Sequence, residues 1–158
     1  MTDKMRWRYG DTKPVVSKAV PTDTVIEIGD LTAVDGSSNP IPAADIAWDT
    51  DLATTQEAFH DAFLGVSAQR SRDGDIDPVR CNTSGVHEFD CAAATFELGD
   101  LVGPAKAAGN ALLSQTVVAV AGANLAVGRV AKRYASNTTT VLVEIVGTVQ
   151  HGGPQAPA

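Results

Sequence analysis

The chain is short of aromatic residues, cysteine and positive charge. Of its 158 residues, four are Phe, two Trp and two Tyr, too few to line a large aromatic pocket. Cys81 and Cys91 form no CxxC pair, and two cysteines make no disulfide framework; two unpaired thiols suit this spacing better than a cross-strand disulfide. No stretch approaches the length of uninterrupted apolar sequence that a helical membrane span requires, so no membrane partner is expected. The residues from Met1 to Tyr9 are polar and charged, with no apolar signal-peptide core behind them. Twelve Lys and Arg stand against 19 Asp and Glu, a net charge of −7. That balance lacks the basic footprint of a nucleic-acid binder.

What is present is small and β-branched. Hydrophobic residues make up 44% of the chain, most of them Ala and Val. Such a core favours pleated sheet, and the length suits one domain burying roughly 70% of its unfolded surface. The charge is also uneven. Residues 1–18 carry five cations (Lys4, Arg6, Arg8, Lys13, Lys18) and only two acids, whereas no Lys or Arg occurs between Ala19 and Gln69. A basic, aromatic-interleaved leader therefore precedes an acidic body. Arg and aromatic side chains are the anchors of protein contacts, so residues 1–20 are expected to form an extended docking arm with Arg6, Trp7, Arg8, Tyr9, Lys13 and Lys18 as its contacts.

One helix is predicted, from about Leu52 to Phe63. Thr50 or Asp51 can cap it, Leu52, Phe59 and Phe63 share a face, and Gly65 ends it. Strands are expected at Thr24–Leu31, Leu64–Gln69, Pro78–Asn82, Gly85–Phe89, Ala126–Tyr134 and Thr140–Val149, with a Val-rich strand pair in Asn110–Ala121. Asp73-Gly74 marks a hairpin tip and Asn137–Thr139 a turn. Gly103-Pro104 reads as a further turn. Residues 21–149 form the β-rich domain, and the segment 150–158 has the composition of a flexible tail.

Two segments occur twice. Ile26-Glu27-Ile28-Gly29-Asp30-Leu31 returns as Phe96-Glu97-Leu98-Gly99-Asp100-Leu101, and Gly65-Val66-Ser67-Ala68-Gln69-Arg70 returns as Gly128-Arg129-Val130-Ala131-Lys132-Arg133. The order is the same both times. Two copies are too few for a solenoid, so the echo suggests two related β-hairpin layers folded into one small barrel or sandwich.

No motif for catalysis, cofactor binding or a metal emerges. His60, His87 and His151 are scattered and fit neither HExxH nor a deaminase pattern. His60 reads as a solvated residue beside Asp61, and His151 as part of the tail. His87 and Glu88 follow each other in a strand and so point to opposite faces. Asp73-Gly74-Asp75-Ile76-Asp77 starts like a calcium loop but lacks its sixth-position glycine and closing glutamate. The chain has neither a GxSxG elbow nor a GxxxxGK[ST] phosphate loop.

The order of segments resembles the capsid cement (head decoration) proteins of tailed bacteriophages. The resemblance lies in Ile28-Gly29-Asp30-Leu31, Phe63-Leu64-Gly65-Val66-Ser67, Thr83-Ser84-Gly85-Val86-His87-Glu88-Phe89, Leu98-Gly99-Asp100-Leu101 and Val127-Gly128-Arg129-Val130-Ala131. The acidic segment around Ile41–Thr50 and the part after Gly147 are less typical. The resemblance implies a small β-barrel-like structural protein, not an enzyme. It implies a homotrimer bound to the major capsid protein on the outer surface of the virion head, with no cofactor, stabilising the expanded shell. The apolar residues Val117, Val118 and Val120 are then the expected trimer contact. Two other classes remain open: a trimeric, dUTPase-like nucleotide hydrolase, and a glycan- or surface-binding β-module.

Overall fold

The computed structural model describes residues 3–155. Eleven strands among the described residues form two sheets. The leader supplies β1 (Trp7–Tyr9) and β2 (Val15–Val16). Then come β3 (Leu31–Val34), β4 (Pro40–Pro42), helix α1 (Leu52–Ala62) and β5 (Phe63–Ser67). β6 (Arg80–Asn82), β7 (Val86–Phe96), β8 (Leu101–Lys106) and β9 (Leu112–Ala119) follow. The chain closes with β10 (Gly128–Val130), β11 (Tyr134–Ile145) and a four-residue helix, α2 (Thr148–His151).

The fold is mainly β, as the composition suggests. β7, β11, β10, β8 and β9 close into a five-stranded barrel, because β9 returns to β7 through a parallel bridge between Asp90 and Thr116. Closure removes sheet edges. β1 extends this sheet along the part of β7 that β9 does not reach, with Trp7 opposite His87. The second sheet has the order β2-β6-β5-β3-β4. The main core joins both sheets and α1, with Phe59, Phe63, Phe89, Val141 and Ile145 fully buried. A smaller core lies around Val20, Ile26, Leu64, Val79 and Cys81.

α1 starts where its cap predicts. The Asp51 carboxylate accepts from the Thr54 amide at 2.8 Å, satisfying one of the unpaired N–H groups of the first turn. Its buried side carries Phe59 into contact with Phe63, ring centroids 5.6 Å apart. It also carries two polar groups onto distant backbone. Gln56 Nε2 donates to the Pro104 carbonyl at 2.8 Å, and His60 Nδ1 lies 2.7 Å from the Ala126 carbonyl. His60 is thus a buried, hydrogen-bonded residue and not a solvated one.

Several boundaries differ from those expected. The first predicted strand shifts past its glycine: before Leu31 the chain makes one bridge, Ile26 with Ser71, and then a turn. Asn110–Ala121 holds one strand, and its partner is β8, which contains Gly103 and Pro104. Beyond Val102, β8 has no β10 partner, so a residue without an N–H is accommodated there. Asn137–Thr139 is an irregularity inside β11, where the register against β7 shifts and then recovers; the ladder is disrupted locally without ending the strand. β11 stops at Ile145, and the segment expected to be a tail is built into the fold. His151 Nε2 lies 2.8 Å from Thr83 Oγ1, and Arg129 reaches the Gln155 carbonyl. Residues 156–158 of that segment, and residues 1–2 of the leader, lie outside the described residues.

Candidate functional site: the leader and the two turns

The repeated sequence folds the same way twice. In the first turn, the Asp30 amide donates to the Glu27 carbonyl at 3.2 Å, and the Glu27 amide donates to Asp30 Oδ2 at 2.9 Å. In the second turn, Asp100 and Glu97 make the same two bonds at the same two distances. Gly29 and Gly99 sit at φ +98° and +89°, the left-handed conformation a type II turn requires at its third position. Each turn then docks on the second repeated segment. Gly29 donates to Ser67 O and Ser67 donates to Asp30 O, both at 2.9 Å. Gly99 donates to Val130 O at 2.9 Å, and Val130 donates to Asp100 O at 2.8 Å.

The strand pairings carry the equivalence further. Leu31 pairs with Val66 and Val66 with Asn82; Leu101 pairs with Arg129 and Arg129 with Glu144. A methyl group on Gly65 would collide with the Asn82 carbonyl oxygen, and one on Gly128 with that of Glu144. Both positions need glycine because another backbone passes directly over them.

The leader covers the first turn. The Ile28 amide donates to Asp3 Oδ1 at 2.9 Å, and the Ile28 carbonyl accepts from the Lys4 amide at 2.8 Å. Asp3 Oδ2 also accepts from Arg70 at 2.7 Å. The Ile28 amide, with Glu27 and Arg70 adding to it, holds the Asp3 carboxyl down at about 2, and the shared hydrogen bond raises Glu27.

Arg6 ties this arrangement together and is 3% exposed. Its guanidinium donates to both Asp90 oxygens, at 3.2 and 3.1 Å, and to Gln115 Oε1 at 2.7 Å. Gln115 in turn donates to Asp30 Oδ1 at 2.9 Å. One side chain thereby links the leader, β7, β9 and the first turn. The planar fork of Arg suits such a bidentate task. Its hydrogen bonds, helped by its charge, lower Asp90, whereas burial raises Asp30. The expected role of Arg6 as a surface anchor is therefore corrected: its donors are spent inside the molecule.

Of the other leader residues, Val20 is buried in the smaller core and Val15 packs against it, while the aromatic and basic ones face outward. Trp7 is 41% and Tyr9 51% exposed, and Met5 beside them is exposed as well. Arg8 pairs with Glu88 at 3.2 Å on the surface. Lys13 and Lys18 are exposed; Lys18 Nζ donates to the Ser37 carbonyl at 3.1 Å. The leader is a pair of short strands with exposed apolar side chains. Sequence reading missed Met5, which shares one depression with Trp7; the register shift between Trp7 and Tyr9 turns Tyr9 toward a different groove.

Of the expected trimer contacts, Val117 belongs to the core and Val118 is exposed, with Val120 between the two. Val117 is removed from that set because β9 turns it into the barrel. The thiols of Cys81 and Cys91 are free and buried; burial pushes Cys81 up to about 12, so it is unreactive. Asp75 accepts from the Arg72 amide at 3.1 Å and serves as a turn cap at the hairpin tip. No cluster of three or more His, Cys, Asp or Glu suited to a metal ion occurs among the described residues. Nor is any helix among them long and apolar enough to cross a membrane. Comparisons with protein-family models, curated proteins and solved structures match the chain to none of them.

Proposed function

We propose that the protein is a structural decoration (cement) protein of a tailed-phage head, acting as a homotrimer on the outer surface of the capsid. One observation carries this reading: a basic, aromatic leader is locked to the barrel by buried Arg6 while Met5, Trp7, Arg8 and Tyr9 stand outward. A docking strand ordered before it meets its partner loses little freedom on binding, and exposed aromatics with Arg supply contact energy. The acidic body faces solvent while the leader grips the major capsid protein. A protein that binds only the expanded shell stabilises it by mass action, and many copies make each modest contact count. Val118 and Val120 remain the trimer contacts in this reading.

The test uses expanded heads of the phage whose genome carries this gene, stripped of decoration and mixed with purified protein. Saturable binding that raises the temperature of shell rupture is expected. The pair of substitutions Trp7→Ala and Tyr9→Ala should weaken that binding at least tenfold. Heads left bare at micromolar protein, or decorated equally by the double variant, would overturn the reading.

A further inference from the structure

The second turn repeats the first in both internal bonds, but among the described residues no leader segment covers it; Arg129 alone reaches it from the side, at the Gly99 carbonyl. Leu98 occupies the position of Ile28. Neither its amide nor its carbonyl makes a hydrogen bond to any described residue, and its side chain is 70% exposed. Arg133 occupies the position of Arg70, the cation that holds Asp3. It now pairs with Glu97 at 2.8 Å on the open surface, and a guanidinium has donors to spare for a second carboxylate.

The surroundings correspond too. Beside the first turn, Met5 and Trp7 share a shallow apolar depression with Ala68 and Asn82. Beside the second, a groove of about 370 Å³ runs past Leu98, over Ala131 and Glu144, to exposed Tyr9. Ala131 is the counterpart of Ala68, and Glu144 of Asn82.

We propose that this groove is a docking site for an extended segment of a partner protein, with an aspartate followed two residues later by an apolar side chain. The aspartate would accept from the Leu98 amide and from Arg133. The N–H of the next residue would donate to the Leu98 carbonyl, and the apolar side chain would lie over Ala131. The leader demonstrates this chemistry in the first copy with Asp3, Lys4 and Met5. A foreign segment fits better than the leader of a second copy, because withdrawing a leader would expose the buried Arg6 and orphan Asp90. The inference concerns the segment this groove accepts and does not depend on the capsid reading.

The probe is a nonapeptide of residues 1–9, titrated into the isotope-labelled full chain and followed by amide shifts. Saturable shifts at Leu98, Gly99 and Arg133 are expected. Asp3→Asn in the peptide, or Arg133→Gln in the protein, should weaken binding at least tenfold. Leu98→Pro should do the same by deleting the N–H at a turn position that accepts proline. Arg70→Gln should leave the Leu98 response unchanged. Shifts confined to Ile28, absence of shifts at millimolar peptide, or binding that survives Arg133→Gln would overturn the proposal. Self-association of the protein alone that Leu98→Pro abolishes would overturn the choice of a foreign partner.

Discussion

The two turns, Glu27–Asp30 and Glu97–Asp100, have the same bonds and opposite surroundings. The first is roofed by the leader: an added methyl on Gly29 would strike the Lys4 carbonyl and the Arg6 side chain, while the same atom on Gly99 meets nothing within 4 Å. Asp30 is fully buried and Asp100 only partly. The difference separates what the repeated sequence does from what is added to it. Turn, docking bonds and glycine crossings belong to the repeat; burial of the first copy comes from residues 3–6 and Gln115. Identical local structure therefore supports a stabilising role in one copy and an open surface in the other.

The strongest way to break the comparison is at the crossings. Gly65→Ala and Gly128→Ala should each destabilise the fold by at least about 3 kcal/mol, since rigid backbone stands over both positions. Urea melts of the two variants check this, and tolerance at one site alone would undo the equivalence of the copies.

The next effect concerns His87, which neighbours the first copy from within β7. Its Nδ1 lies 3.3 Å from the Gly85 carbonyl and its Nε2 3.4 Å from Asn82 Nδ2. A neutral ring can donate to the carbonyl and accept from the amide. Burial pushes it down to about 4. The unfolded chain takes up a proton below about 6.5, whereas the folded chain resists until about 4, so the stability this site provides is full above 6.5 and is lost as pH falls through 4. Stability should drop by about 3 kcal/mol over that window through this residue. Melts at pH 7, 5.5 and 4 should show the slope, and His87→Gln should flatten it.

Arg6→Met sharpens the contrast directly. Losing the charged hydrogen bonds to Asp90 and Gln115 should cost about 2 kcal/mol. Amide exchange should quicken at the first turn and stay unchanged at Leu98–Asp100, which Arg6 does not touch and where Arg129 donates to the Gly99 carbonyl instead. The smallest effect separates the two turn glycines. Gly99→Ala should cost about 1 kcal/mol for positive φ alone. Gly29→Ala should cost about 1 kcal/mol more because of the Lys4 carbonyl, a difference readable from paired thermal melts.

Much of the repeat is legible in the amino-acid sequence. The two Gly-Asp turns share residue types at matching spacing, and α1 announces itself through Asp51 and the Leu52, Phe59, Phe63 face. β8 is hidden because Gly103 and Pro104 read as a turn, and only the strand order shows where a missing N–H is harmless. His60 and Arg6 are misplaced by sequence for one shared reason: their partners, Ala126, Asp90 and Gln115, lie 66 to 109 residues away along the chain. Local pattern assigns a charged or polar side chain to solvent, and only tertiary pairing overrides that. The uncovered state of the second turn is equally out of reach, since it depends on where the leader runs.

Amide exchange at Ile28 and Leu98, measured on the intact protein at neutral pH, tests the central claim most directly. The Ile28 amide, bonded to Asp3 beneath the leader, should exchange orders of magnitude more slowly than its solvent-facing counterpart at Leu98. Equal protection at the two amides would contradict the account of one covered and one open copy.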